Sequence, residues 1–236
     1  MTSRPRSLQR LSPKISGLAL IGREDPRLPG SVKKLMSALG APSIQTIGNI
    51  QLLGLGKLGL ICSVRCPGEI ILATYDFIKA YSRTDIAIVG GFHSPMERQC
   101  LEILLARHIP VILCPARDLS RLRLQPAVKT ALAQDRLLIL SGFPGKGRRV
   151  TRALAQARNT FVAALADRIF MPYAAPGGQT EELAERAAGA GKCLLTVPRQ
   201  ENARLMELGA LNIQSAHPLQ NSQCSRKPSP AAGYLL

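Results

Sequence analysis

The chain has few aromatic residues, no zinc-binding motif and no long apolar run. Aromatic residues make up 4% of its 236 residues and tryptophan is absent, which argues against an interface built on extensive base stacking. The six cysteines include no CxxC pair, so the ligand spacing of structural zinc sites is missing and we expect no bound metal. No apolar run approaches the roughly 20 residues of a membrane span, and no secretory leader is visible. We therefore expect a cytoplasmic protein that is not held in a membrane.

Acidic residues are also scarce, and the resulting positive charge points to a polyanionic partner. The chain has 31 Lys and Arg against 15 Asp and Glu, which gives a net charge of +16 and a pI near 10.3. Arginine outnumbers lysine 22 to 9, and the guanidinium group suits bidentate phosphate contacts. Nucleic acid is the partner that this balance favours.

Composition divides the chain into four parts. Residues 1–14 form a basic arm without acids, and residues 216–236 form a polar tail without periodicity; both are typical of disordered segments. Residues 15–55 form a lead-in segment, in which Ser31 is the predicted N-cap of a helix ending at Leu39. Residues 56–215 form the main domain.

In the main domain, short apolar runs alternate with helix-like stretches. Such runs joined by helices indicate strands that are covered on both faces, so the predicted fold is α/β with a doubly wound, mostly parallel, Rossmann-like sheet. Cys62, Cys114 and Cys193 lie in these runs, where a thiol acts as a small buried apolar group. The predicted strands are 58–62, 86–89, 111–114, 137–140, 169–173 and 193–197, and the predicted helices are 67–81, 95–107, 126–133, 149–166 and 180–190.

Three strand-to-helix turns carry the residues that we predict to bind phosphate. We call them the first turn (63–68), the second turn (90–95) and the third turn (175–178). In a parallel sheet all three lie at the carboxyl edge, where helix N-terminal amides attract an anion. The Gly54-x-Gly56-x-x-Gly59 spacing matches the dinucleotide-binding fingerprint but precedes its strand instead of following it. We therefore expect no dinucleotide cofactor, and no other cofactor either. The predicted phosphate- or DNA-binding residues are Ser63, Arg65, Gly68, Gly91, His93, Ser94, Gly177, Gly178 and Thr180.

A basic segment adds further candidates. From Arg117 to Arg158 there are ten basic residues and two acids, and Lys146, Arg148 and Arg149 closely follow a predicted strand. They can follow a nucleic-acid backbone along the same edge, with Phe92, Phe143 and Tyr173 as the nearby aromatic residues.

Each of these features also has a plain structural interpretation. The first turn can be an ordinary loop, the basic segment a solvated surface, and His93 incidental. Ser94 and Glu97 have the spacing of a capping box. Glu181 can simply complement the dipole of its helix.

Several blocks in order resemble the DNA-processing protein DprA/Smf family. Residues 25–29 (DPRLP) and 47–53 (IGNIQLL) are similar to the family's DPxYP and xGNxxLL blocks. Residues 62–65 stand where the family has Gly-Ser-Arg, and residues 90–97 where it has Ser-Gly-x-Ala-Arg-Gly-Ile-Asp. Residues 140–144 (LSGFP) resemble LSEFPP, residues 158–159 resemble Arg-Asn-Arg, and residues 174–180 resemble the Gly-Ser/Thr phosphate turn. The resemblance spans about residues 20–200.

This resemblance implies a DNA-binding protein without catalytic residues. It implies single-stranded DNA bound along the carboxyl edge, self-association into a homodimer, and transfer of the strand to a RecA-type recombinase in DNA uptake, transformation or recombination. By motif position it assigns DNA contacts to Ser63, Arg65, Arg158 and Asn159. The chain departs from the family at Cys62, at the inserted Val64 and in the second turn, and no winged-helix domain follows. It is identified as a short, divergent member.

Two other functions remain open. The third turn is similar to the PGGxGTxxE motif of LOG-type nucleoside-monophosphate phosphoribohydrolases, with Glu181 as the alternative catalytic residue. A nucleotide-binding sensor without chemistry is the other alternative.

Overall fold

A computed structural model describes residues 17–145 and 150–213 of the chain. These residues form one mixed sheet of nine strands with helices on both faces. The strands are β1 (Ala19–Gly22), β2 (Ser43–Gly48), β3 (Gly56–Leu60), β4 (Ile86–Gly90), β5 (Val111–Leu113), β6 (Leu137–Ser141), β7 (Arg168–Phe170), β8 (Cys193–Thr196) and β9 (Leu211–Asn212). The helices are α1 (Gly30–Ala38), α2 (Gly68–Ala80), α3 (Pro95–Ala106), α4 (Pro126–Ala133), α5 (Arg152–Leu165), α6 (Gln179–Gly189) and α7 (Ala203–Glu207).

The strand order is β1-β2-β6-β5-β4-β3-β7-β8-β9. The seven strands from β6 to β9 in this order run parallel, β2 runs antiparallel to β6, and β1 runs antiparallel to β2. The sheet separates two apolar clusters: α2, α3 and α4 cover one face, and α1, α5 and α6 cover the other. The prediction of a doubly wound, mostly parallel α/β fold is confirmed.

The lead-in segment differs from the sequence prediction in its details. Residues 19–48 contribute β1, α1 and β2 to the same sheet and core. Helix α1 begins at Gly30 rather than after Ser31, because the carbonyl of Pro29 accepts from the amides of Val32 and Lys33. The N-cap is therefore Pro29, and the assignment of Ser31 to that position is wrong. The predicted basic arm (1–14) and polar tail (216–236) lie outside the described residues.

The cysteines show where the apolar runs lie in the core. Cys62 and Cys114 are buried and free, as predicted, and so is Cys100 in α3. Cys193 is half-buried and disulfide-bonded, so the prediction of a buried thiol there is wrong.

Within the described ranges, no helix has the length and apolar character to cross a bilayer. No cluster of three or more His, Cys, Asp or Glu side chains suited to a metal occurs in this part of the chain.

Candidate nucleic-acid interface

The sheet has a topological switch point between β3 and β7. From β3 the chain winds outward through β4, β5 and β6, and then returns to place β7 on the other side of β3. The loop after β3 leads to α2 on one face of the sheet, and the loop after β7 leads to α6 on the opposite face. Loops that diverge in this way leave a crevice at the carboxyl edge, which is where open α/β sheets bind ligands.

Ser63 connects the first turn to the segment leading into the third turn across this crevice. Its amide donates to the carbonyl of Tyr173 at 3.1 Å, and its Oγ accepts from the amide of Ala175 at 2.9 Å. The hydroxyl hydrogen of Ser63 has no acceptor among the described residues, so it is free to be donated to a ligand. The structure thus brings two of the three turns together.

The helices that begin at these two turns lack side-chain caps. The N-caps of α2 and α6 are Pro67 and Gly178, which have no side-chain oxygen to accept a hydrogen bond from the first amides of the helix. The first amides of an α-helix have no intrahelical acceptor, so both helices direct free N–H groups towards the carboxyl edge. Gly177 adopts a φ of +64°, a conformation that favours glycine in the tight turn before α6.

Two other residues near the third turn are already engaged in the fold. The carboxylate of Glu181 accepts from the amide of Gly177 at 3.4 Å, which is a local contact within its own turn. The Thr180 side chain is buried, with 7% of its surface exposed. The main chain therefore provides most of the binding groups at this turn.

The second turn has the predicted capping box of Ser94 and Glu97, and the Glu97 carboxylate therefore occupies amides that we expected to bind phosphate. The buried Glu97 accepts through Oε2 from the amides of His93 (2.9 Å) and Ser94 (3.0 Å), and through Oε1 from the amide of Cys62 (3.1 Å). The amide of Glu97 donates in turn to Ser94 Oγ at 3.2 Å, which completes the capping box. Glu97 thus joins the first and second turns, and the contact with Cys62 is one that the sequence did not reveal.

Arg158 lies against Gly91 at the end of β4. The arginine is 5% exposed, and its Nε has no hydrogen-bond partner in the described structure. A Cβ at Gly91 would lie 2.5 Å from this Nε and closer still to Cζ and Nη1, so only glycine leaves room for the guanidinium. Burial lowers the pKa of Arg158, and the nearby Glu97 and Cys114 act in the opposite direction. The result is a buried cation beside the second turn.

The remaining predicted residues have different degrees of exposure. Arg65, Gly68 and His93 are exposed, and Asn159 is half-buried next to Arg158. Lys146, Arg148 and Arg149 lie outside the described residues. Among the aromatic candidates, Tyr173 and Phe143 are half-buried, but Phe92 is 6% exposed and packs in the core, so it does not present a ring for stacking.

A polar network fixes the start of the basic segment. Asp118 accepts from the amide of Gly145 at 2.7 Å and from Gln45 Nε2 at 2.8 Å, and it also accepts from the amide of Ser120 at 2.8 Å. Burial alone would raise the pKa of Asp118, but a hydrogen bond from the Ser120 hydroxyl and the three bonds above outweigh it and bring the value to about 2. Nearby, Arg117 has a buried Nε without a partner. Gln45 and Asp118 are 73 residues apart, and no sequence signal pairs them.

Comparison with known proteins gives matches in structure but not in sequence. No protein-family model and no curated protein matches the chain. The structure of DNA processing protein A (DprA) from Streptococcus pneumoniae aligns with a TM-score of 0.68 and 18% identity, covering 84% of this chain and 72% of that one. DprA from Helicobacter pylori, whose structure was described for its unique single-stranded DNA binding mode, aligns with a TM-score of 0.64 and 22% identity, covering 84% and 92%. The resemblance found in the sequence is confirmed at the level of the fold: the chain has the fold of DprA proteins.

Proposed function

We propose that this chain is a divergent DprA-type DNA-processing protein that binds single-stranded DNA along the carboxyl edge of its sheet and catalyses no reaction. The observation that carries the proposal is the crevice between β3 and β7, where Ser63 joins the two diverging loops and two uncapped helices begin. The shared fold and the single-stranded DNA binding of the Helicobacter pylori protein support it.

The chemistry of the crevice suits a phosphate backbone better than a nucleobase. It offers N–H groups, the free hydroxyl hydrogen of Ser63 and the exposed guanidinium of Arg65, all of which are hydrogen-bond donors. Exposed aromatic surface is small, because the aromatic candidates Tyr173 and Phe143 are half-buried and Phe92 is buried. We therefore expect binding that depends weakly on sequence and strongly on salt.

Fluorescence anisotropy with a labelled oligo-dT at several salt concentrations tests the proposal. For binding through phosphates, log K falls with log salt by about 0.7 per contact on a single strand. Arg65→Gln should weaken binding and reduce this slope by about 0.7, because one contact is lost. The matched control is Arg107→Gln, which removes the same charge from the exposed C-cap of α3, at the opposite edge of the sheet. Equal effects of the two substitutions, or a flat salt response, would refute the proposal.

A base-release assay and a mononucleotide-binding assay separate the two alternative functions. Release of free base from a nucleoside monophosphate, lost in Glu181→Gln, would indicate the phosphoribohydrolase. The hydrogen bond from Gly177 to Glu181 supports a structural role for this carboxylate instead. Tight binding of a mononucleotide without affinity for oligo-dT would indicate the sensor.

We extend the proposal to the cellular role that the family resemblance implies. The protein acts in the cytoplasm as a homodimer, in DNA uptake, transformation or recombination, and passes the bound strand to a RecA-type recombinase. When this chain is added to single-stranded DNA that another binding protein covers, we expect the recombinase to assemble faster. An unchanged rate of assembly would refute the transfer to a recombinase but not the binding of single-stranded DNA.

A further inference from the structure

Arg158 is a buried cation that no anion balances within the described ranges. It is 5% exposed, its Nε has no hydrogen-bond acceptor, and no carboxylate oxygen lies within 4 Å of its guanidinium nitrogens. A buried charge is costly unless an opposite charge and hydrogen bonds compensate it. The side chain lies directly against Gly91, so this charge is held at the carboxyl end of β4.

The chain has no carboxylate side chain left to pair with Arg158. All 15 of its Asp and Glu residues lie in the described ranges, so none is to be sought elsewhere in the sequence. Glu97 acts on the charge of Arg158 through space, but both of its oxygens already accept from the amides of Cys62, His93 and Ser94. The missing anion therefore has to come from another molecule.

The backbone of the second turn is shaped around the guanidinium. Arg158 covers Gly91, where an added Cβ would overlap the guanidinium. On the next residue, Phe92 adopts a φ of +46°, which is uncommon for a residue with a side chain, and its ring folds back to within 3.1 Å of the position of a Cβ on Gly90. Such a backbone conformation persists only where the surrounding structure holds it. The turn is therefore a rigid support for the charge.

We infer that Arg158 and the second turn hold a phosphate monoester, which is either the terminal phosphate of a DNA strand or the phosphate of a free nucleotide. A monoester carries close to two negative charges and three free oxygens. An internal phosphate of a strand carries one charge and has a sugar on each side. Because the guanidinium is enclosed, it suits the smaller and more highly charged group. Its Nε and one outer nitrogen then donate to two phosphate oxygens as a bidentate pair.

A strand end is the source that fits the proposed function, on which this choice of source rests. The second turn follows β4, which is the neighbour of β3 in the sheet, and adjacent strands lie about 5 Å apart. Glu97 fixes the second turn to the first by accepting from the amides of Cys62 and Ser94. A strand that is bound at the first turn therefore places its last phosphate within reach of Arg158.

Urea unfolding with inorganic phosphate tests the anion site without DNA. A ligand that binds only the folded state raises the free energy of unfolding by mass action. Compared with chloride at the same ionic strength, phosphate should raise the urea midpoint more in the wild type and in the control Arg107→Gln than in Arg158→Gln. Phosphate also stabilises proteins in general, by exclusion from their surface, so an equal rise in all three proteins would overturn the inference.

Calorimetric titration of the wild type with inorganic phosphate needs no variant, and it decides the question if Arg158→Gln does not fold. We expect saturable binding to one site. The absence of saturable binding would overturn the inference.

Oligo-dT with a phosphate at its 5′ end, at its 3′ end or at neither end distinguishes the two sources. A phosphate at one end should raise the affinity of the wild type about tenfold, which is the effect of one charge-assisted hydrogen bond, and should have no effect in Arg158→Gln. If end phosphates have no effect but dTMP binds more tightly than thymidine, the site holds a free nucleotide and the strand end is refuted. If oligo-dT does not bind at all while inorganic phosphate acts through Arg158, the proposed function fails and the anion site stands.

Discussion

Replacing Gly91 with alanine places a methyl group where the guanidinium of Arg158 lies. The added Cβ would stand 2.5 Å from Nε of Arg158 and closer to the outer guanidinium atoms, against at least 3.4 Å for an ordinary contact. Arg158 therefore has to move by about 1 Å or more. Only 5% of its surface is exposed, so moving the side chain disturbs the groups that enclose it.

The expected cost follows from this crowding. Overfilling a packed site typically destabilises a protein by about 1–3 kcal/mol, and we expect Gly91→Ala to fall in this range. Removing the guanidinium removes the conflict, so the same substitution in an Arg158→Ala background should cost less than about 0.5 kcal/mol. The coupling free energy between the two positions is then about 0.5–3 kcal/mol.

Urea unfolding of the four proteins of this double-mutant cycle provides the measurement. Gly30→Ala is the matched control, because a Cβ at the first residue of α1 meets no atom within 4 Å. It should change the free energy of unfolding by less than about 0.5 kcal/mol. If Gly91→Ala costs the same with and without Arg158, the contact described between these residues is refuted.

Three further substitutions test other parts of the fold. Gly48→Ala should cost about 2–3 kcal/mol, because Gly48 has a φ of +96° and an added Cβ would press on the carbonyl of Leu137; an unchanged urea midpoint would contradict this. Glu97→Gln should cost about 1–3 kcal/mol, because an amide nitrogen cannot accept a hydrogen bond and so leaves at least one of the amides of Cys62, His93 and Ser94 without a partner; a loss below about 0.5 kcal/mol would contradict these contacts. The pKa of Asp118 is about 2 in the folded state, below the unfolded value of about 3.9. Its contribution to stability is therefore present above about pH 4 and lost as the pH falls towards 2, and Asp118→Asn should show a shallower loss over this window in acid titrations.

The sequence predicted the parallel part of the sheet well because its strands are continuous apolar runs. The run at 111–114 became β5 (Val111–Leu113) and the run at 86–89 became β4 (Ile86–Gly90), each buried on both faces. Strands β1 and β2 were missed for different reasons. Strand β1 belongs to a short apolar run, 18–21, but leaves Leu20 64% exposed, so it is not buried on both faces. Strand β2 contains the buried polar residues Gln45 and Thr46, so it has no continuous apolar run.

The candidate site was predicted in position but not in detail. Strand-to-helix turns of a parallel sheet meet at its carboxyl edge, and this rule predicted that the first and third turns lie together. In the structure Ser63 contacts Ala175, which is 112 residues away in the chain. The capping box of Ser94 and Glu97 was visible in the sequence, but the contact of Glu97 with the amide of Cys62 and the space that Arg158 takes at Gly91 were not. Such pairings between distant residues leave no local pattern in one sequence.

Hydrogen exchange of the chain with and without oligo-dT tests the central claim most directly, because it reports which backbone amides the ligand covers. We predict slower exchange at 62–71 and 173–182, where α2 and α6 begin, and no change at 81–86 and 107–111 at the opposite edge of the sheet. Protection confined to the opposite edge, or no protection at saturating oligo-dT, would contradict the account.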